Sequence, residues 1–235
     1  MRESIDLNFD PDLRHPSYFF RKRLLNGIRQ HAPALKGRLL DFGCGSKPYQ
    51  SLFEVDEYVG LDYAGPGHSH DNETIDVYYD GRIIPLEAAT FDCIFSSEVF
   101  EHIFNLPEIL PELYRVMKPG AIILVTCPFA IGEHEIPNDF ARYSSFALRE
   151  MMTKNGFEVV AQEKLGNSIE VVFQLAILYI HQSIAPKFRT IPLVRSIFRC
   201  LIYPFMNVSA LILGGILPKG EDLYLSNLIL CRKRL

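Results

Sequence analysis

The stretch "CPFAIGEHEIPNDFARYSS", Cys127 to Ser145, sets His134, Glu135, Asp139, Arg142 and Tyr143 between an apolar run and a helix start. Such side chains can ligate a metal, run acid–base chemistry or close over a substrate. As a metal set they are poor: His134 and Glu135 are neighbours and diverge, and no second histidine follows at helical spacing as in HExxH. "HSHD", His68 to Asp71, adds two histidines, but in a loop beside glycines, so no metal is expected. An imidazole titrates near neutral pH, which makes His134 the candidate general base, with Asp139 able to orient it. The competing reading is a lid in which Arg142 bonds Asp139 or Glu135 and Pro128 and Pro137 stiffen the chain. His102, in "EVFEHI", stands at a helix start and is given a supporting role.

A second constellation lies upstream. In "DFGCGSKPY" a short apolar run breaks into Gly43 and Gly45, residues that let a ligand approach the backbone. Asp62, at the end of the next apolar run and nineteen residues after Gly43, can accept both hydroxyls of a ribose. Together they suggest an adenosine-containing cofactor. A dinucleotide fingerprint would continue to a third glycine, whereas Lys47 and Pro48 follow here, so a nicotinamide reading weakens.

The elements that must hold these residues alternate. "GRLLDF", "YVGLDY", "FDCIFSS", "AIILVTCPF", "FEVVAQEK" and "LYLSNLILCRK" read as strands; residues 17–31, "NLPEILPELYRV" and "SFALREMMTKNG" read as helices, the last capped by Ser144 or Ser145. A further helix is expected after the glycine loop, from Pro48, and Lys-Pro-Gly at 118–120 is read as a helix stop. The pattern predicts an open, mostly parallel α/β sheet. At 235 residues the chain can bury a full core. A net charge of −4 argues against a nucleic-acid binder, and five scattered cysteines without a CxxC pair or a leading secretory signal favour a reducing compartment, hence the cytoplasm.

With these residues in view, the chain resembles the class I S-adenosylmethionine-dependent methyltransferases, of the type 11 kind. "LLDFGCGSKPY", "VGLDY", "DGRIIPLEAATFDCIFSSEVFEHI" and "LYRVMKPGAIILVTCPF" are similar, in order and spacing, to the successive motifs of that family. The resemblance implies a Rossmann-like seven-stranded sheet with an antiparallel last strand and S-adenosylmethionine as cofactor. By position it places Asp41 and the Gly43 and Gly45 backbone at the methionine end, Asp62 at the ribose, Asp80 near the adenine, and Ser97 and Glu98 on the methyl side. The opening stretch is also similar to an "HExPxDFxRYT" segment in a subset of these enzymes linked to glycan or lipid biosynthesis, with Ser144 at the threonine position. That implies Glu135, Arg142 and Tyr143 on the acceptor side and a small-molecule, glycan or lipid-linked acceptor. The alternatives are an NAD(P)-dependent oxidoreductase or epimerase and a membrane-associated binding protein without turnover.

The boundaries expected are an N-terminal helical segment at 1–36, a core at 37–167, an insertion at 168–219 and a final strand at 220–235. From Val171 to Pro218 there is no acid, while Lys187, Arg189, Arg195 and Arg199 are basic and Cys200 to Pro218 carries no charge. Because the chain must return to the sheet, a single membrane span is excluded, and a hairpin would carry the basic linker across. The expectation is helices on the inner face of the cytoplasmic membrane, or packed on the core.

Overall fold

A computed structural model describes residues 5–6, 8–65 and 74–235; the "HSHD" stretch lies outside them. Chain order is α1 (Tyr18–His31), β1 (Arg38–Phe42), β2 (Glu57–Tyr63), β3 (Val77–Tyr79), β4 (Phe91–Ser97), α2 (Leu106–Val116), β5 (Met117–Pro128), α3 (Ser145–Lys154) and β6 (Phe157–Leu165). There follow α4 (Ser168–Tyr179), α5 (Pro192–Ile197), α6 (Tyr203–Ile216) and β7 (Ser226–Lys233). The strands form one sheet in the order β3-β2-β1-β4-β5-β7-β6. The β1–β5 pairings are parallel, and β7 runs antiparallel between β5 and β6. The expected Rossmann-like sheet, its antiparallel last strand and the helical insertion ahead of that strand are therefore all present.

Strand alternation divides the core between two faces. Leu40, Phe42, Ile94, Ile123 and Val125 pack with α2 and α3, while Leu39, Cys93, Phe95 and Leu124 pack with α1 and with Val171 and Ala210 of the insertion. In α2 the buried Leu106, Ile109, Leu110, Leu113 and Val116 make one stripe.

Two local expectations need correction, and one strand carries no sequence signal. After the glycine loop there is only a 3₁₀ turn, Gln50–Leu52, not a helix. The chain must reach β2 within a few residues, and Tyr49 and Phe53 fill the helix's place by packing on Phe95. Lys118-Pro119-Gly120 does not stop a helix: β5 already begins at Met117. Gly120, at φ +77°, lies in the irregular start of that strand, where Phe91 pairs Met117 but Cys93 pairs Ile122. Finally, β3 is a strand of three residues, too short for any period to announce.

The insertion forms two long helical stretches, Ser168–Phe188 and Pro192–Ile216, each long and apolar enough to cross a membrane. Their inner sides carry polar anchors beside the apolar Val171, Ile177 and Ala210. Gln174 Nε2 donates to the Pro16 carbonyl at 2.6 Å, Asn207 Nδ2 donates to that of Leu13 at 2.8 Å, and Glu170 is paired with Arg23.

Candidate active site

The carboxyl ends of β1, β2 and β4 open on a cleft of about 970 Å³, within the range of small-molecule sites. Asp41, Gly43, Gly45, Asp62, Asp80, Ser97, Glu98, His102, His134 and Glu135 all line it.

The floor at one end is the glycine loop. Gly43 has φ +74°, and a Cβ there would lie 2.4 Å from Val99 Cγ2, so only glycine leaves this backbone open to a ligand. Lys47 takes the left-handed conformation, φ +54°, that a third glycine would take, and its ammonium turns away to Asp76 at 2.6 Å. The Asp62 carboxylate accepts from Gly45 N and from Tyr63 N, each at 2.7 Å, which leaves lone pairs for hydroxyls at the mouth of the cleft. Asp41 is buried and accepts from the Tyr58 hydroxyl at 2.5 Å; burial pushes its carboxyl up to about 7, against that hydrogen bond. Asp80 accepts from Arg82 N and Ile83 N, bonds that hold it below the usual carboxylate range.

The other end is built by the turn after β4 and the segment after β5. Ser97 Oγ lies 2.9 Å from Thr126 Oγ1. Glu98 stands in left-handed backbone, φ +56°, with Ser226 Oγ donating to its carboxylate; burial and the neighbouring Glu101 push its carboxyl well up. His102 and His134 meet edge to face, ring centroids 4.8 Å apart. Between them lies Glu101, with no solvent exposure: its Oε1 is 3.5 Å from His102 Nε2 and 3.7 Å from His134 Nε2. Asp139 sits behind His134, Oδ2 3.3 Å from Nδ1, and accepts the His134 backbone N–H at 2.9 Å. The buried Glu101 carboxylate beside it raises the His134 imidazole above its ordinary value, against the effect of burial and with help from Asp139.

Arg142 and Tyr143 do not line the cleft. The Arg142 guanidinium is spent on Asp139, at 2.5 and 2.6 Å, and on the carbonyls of Ile131, Gly132 and Ala141. Tyr143 packs against the core below, and its carbonyl accepts from Asn227. In the structure these two residues hold the loop, and Asp139 reaches the cleft only through His134. Glu101 went unread in the sequence although it stands next to His102 in "EVFEHI"; its burial is what the pattern lacks. So did the apolar rim, where Phe104 and Phe140 meet at 5.4 Å and Phe9, Phe20 and Arg21 come over from the N-terminal segment.

Residues 16–162 match the family described as a methyltransferase domain. The chain belongs to the class I methyltransferases. The cofactor of this methyltransferase is S-adenosylmethionine, and the open glycine backbone, the Asp62 carboxylate and the size of the cleft fit it. Among relatives, the chain is 27% identical over 169 residues to a probable S-adenosylmethionine-dependent methyltransferase of Mycolicibacterium smegmatis, covering 66% of this chain and 65% of that one. It is 31% identical over 134 residues to the mitochondrial ubiquinone biosynthesis O-methyltransferase of Homo sapiens, covering 49% of this chain and 35% of that one. The match thus takes in less than two thirds of either relative's length. Among solved structures, the [4+2]-cyclase SpnF is similar with a TM-score of 0.58 at 18% identity, covering 96% of this chain and 86% of that one. That likeness concerns the fold.

Proposed function

We propose that this methyltransferase moves a methyl group from S-adenosylmethionine to an oxygen of a small-molecule, glycan or lipid-linked acceptor, working against the inner face of the cytoplasmic membrane. The observation that carries the reading is His134, held in the cleft between the buried carboxylate of Glu101 and Asp139. The O-methyltransferase name of the ubiquinone relative agrees with it.

In this reading Asp41 and the Gly43 and Gly45 backbone hold the methionine end, Asp62 the ribose, Asp80 the adenine side, and Ser97 and Glu98 face the reacting methyl. Bound S-adenosylmethionine supplies an electrophilic methyl group on its sulfonium sulfur. His134 Nε2 takes the proton of the acceptor hydroxyl as the oxygen–carbon bond forms, and Glu101 stabilises the imidazolium. His102 and Glu135 line the acceptor's approach, and the Asp139–Arg142 pair holds the loop that carries His134. Phe20, Phe104 and Phe140 give the cleft an apolar rim.

A dinucleotide-dependent reading is disfavoured by the loop itself. A pyrophosphate needs a helix N-terminus after the glycines, and a single 3₁₀ turn stands there. Membrane contact is supported by the exposed apolar side of the insertion, with Val172, Leu175, Phe205, Leu211, Ile212 and Ile216 in solvent, next to exposed Lys187, Arg189, Arg195 and Arg199.

The test is incubation with methyl-labelled S-adenosylmethionine and a detergent extract of membrane lipids and glycolipids. The expected result is label in the organic phase as an alkali-stable ether, with one S-adenosylhomocysteine released per label. Cofactor binding without release, whatever extract is supplied, would establish the non-catalytic binding protein instead.

A further inference from the structure

We infer that Glu101, His102 and His134 form a binding site for one divalent transition-metal ion of the zinc class at the acceptor end of the cleft. Each residue offers one ligand atom, and the three atoms lie within 4.8 Å of one another. The two spacings to Glu101 Oε1, 3.5 and 3.7 Å, are close to the separation of about 3.3 Å between neighbouring ligands when zinc sits about 2.0–2.1 Å from each. Two imidazoles and a carboxylate are a borderline donor set that suits zinc, iron(II) and cobalt(II), and three protein ligands leave coordination positions toward the cleft.

Two independent observations point to an ion. The first is Glu101 itself: its side chain has no solvent exposure, and Oε1 has no hydrogen-bond partner while aimed at both Nε2 atoms. A buried carboxylate oxygen in that state calls for a cation. The second is the state of the rings. His102 Nδ1 lies 2.6 Å from the Asn138 carbonyl, so it carries the hydrogen and leaves the Nε2 lone pair facing Glu101. His134 Nδ1 lies 3.3 Å from both the Gly132 carbonyl and Asp139 Oδ2. Arg142 Nη2 is also near, but its two hydrogens go to Asp139 at 2.6 Å and to Gly132 at 3.1 Å, so Nδ1 of His134 is again the donor. Both rings thus have their outer nitrogens fixed by acceptors and their inner nitrogens free to ligate, the arrangement by which outer groups orient metal-bound histidines. Glu135, whose Oε2 lies 3.9 Å from His102 Nε2, stands on the open side.

A proton and the ion are rival occupants of His134 Nε2. With the ion bound, an acceptor hydroxyl on its open position would be acidified directly and would give its proton to solvent water, so that proton abstraction by the imidazole is not needed. That role rests on the methyl transfer proposed above; the binding of the ion does not.

The test uses the full chain freed of metal by dialysis against a chelator, titrated with cobalt(II) and followed by visible absorption, with no acceptor present. The expected result is a saturable d–d spectrum at one equivalent, competed away by zinc. His102→Ala and His134→Ala should each weaken cobalt binding by at least about tenfold, while His181→Ala, in the insertion, leaves it unchanged. Calorimetry with S-adenosylhomocysteine reports whether each variant is folded, and the half-buried histidines serve as the main variants because Glu101→Gln alters the core. No saturable spectrum, or one retained in both cleft variants, overturns the site. Methyl transfer that persists in chelator without cobalt binding overturns the site and keeps the reaction; cobalt binding without transfer overturns the reaction and keeps the site.

Discussion

Nε2 of His134 lies 3.7 Å from the fully buried Oε1 of Glu101, while Nδ1 of the same ring lies 3.3 Å from Oδ2 of Asp139. An imidazole held between two acids binds its proton more tightly than usual, and the nearby Glu101 carboxylate is the largest cause. Since the folded value is raised, the pair adds stability below the ordinary value of 6.5 that is lost as pH rises through the folded value. A base must be neutral to act, so in chelator the rate should climb with pH through a point above 6.5. Glu101→Gln should bring that limb down toward the ordinary value. His134→Ala should lower kcat by about 10²–10⁴-fold with S-adenosylhomocysteine affinity little changed. An unmoved limb in Glu101→Gln, measured by pH–rate profiles, would sink the pairing.

Asp41 predicts proton-linked cofactor binding. Burial lifts its carboxyl from 3.8 to about 7, so the folded protein favours the neutral acid and loses stability as pH rises between those values. In the proposed binding mode the cationic amino group of the cofactor's methionine end lies by Asp41 and favours the carboxylate. S-adenosylhomocysteine should therefore bind more tightly as pH rises from about 6 to 8 and release a proton at the lower end, by as much as about tenfold per unit. Calorimetry in two buffers of different ionisation enthalpy measures that release. Asp41→Asn should abolish the pH dependence, and Tyr58→Phe, which removes a hydrogen bond that favours the charged form, should move the window upward.

The glycine loop supplies a steric prediction. Gly43→Ala introduces strain at φ +74° and drives a Cβ to 2.4 Å from Val99 Cγ2. Backbone strain alone costs about 1–2 kcal/mol. S-adenosylhomocysteine affinity should fall at least about tenfold, and Val99→Ala in the same chain should recover part of it by removing the clash. Equal affinities for Gly43→Ala and the double variant would show that Val99 does not set the loop's position.

The sequence carries the sheet because its buried strands are short apolar runs closed by polar ends, and Asp41, Asp62 and Ser97 stand at those ends where period and turn signals meet. Lys47 misleads, since nothing local says that a lysine will take the left-handed backbone of a glycine. Glu101 is hidden for a different reason. Its burial depends on a loop more than thirty residues later folding back over it, and a charged residue beside a histidine is normally read as solvated. Arg142 likewise looks like a substrate ligand until five local oxygens are found around its guanidinium. Long-range packing decides these cases, and periodicity does not report it.

The loop that carries His134 should be acid-labile. Asp139 is almost fully buried and the hydrogen bond from Arg142 holds its carboxyl down to about 2. A depressed acid contributes stability above 3.8 that is lost as pH falls through about 2, on the order of 2 kcal/mol. Asp139→Asn should remove most of that and speed amide exchange across residues 131–143 at neutral pH, with little change elsewhere. Turnover should drop, while the S-adenosylhomocysteine Kd moves little. Exchange that stays at the parent rate would mean the loop is held by other contacts.

The insertion gives the prediction that separates lying on a membrane from crossing one. Crossing would strip Gln174 from Pro16 and Asn207 from Leu13 and place both amides in lipid, a loss with no compensation there. Lying flat keeps these bonds and offers the opposite side, with Leu175, Phe205, Leu211 and Ile212 exposed, to the interface. The full chain should sediment with anionic vesicles, and Arg189→Glu, Arg195→Glu and Arg199→Glu together should weaken this by at least about 100-fold, at about 1 kcal/mol per lost basic residue. High salt should do the same to the parent chain. Cys200 is exposed and free, so an impermeant maleimide reads the topology directly. A surface-bound insertion is labelled from the side that carries the methyltransferase core; a crossing hairpin, with its basic linker on the far side, shields it there and reacts only from the other face.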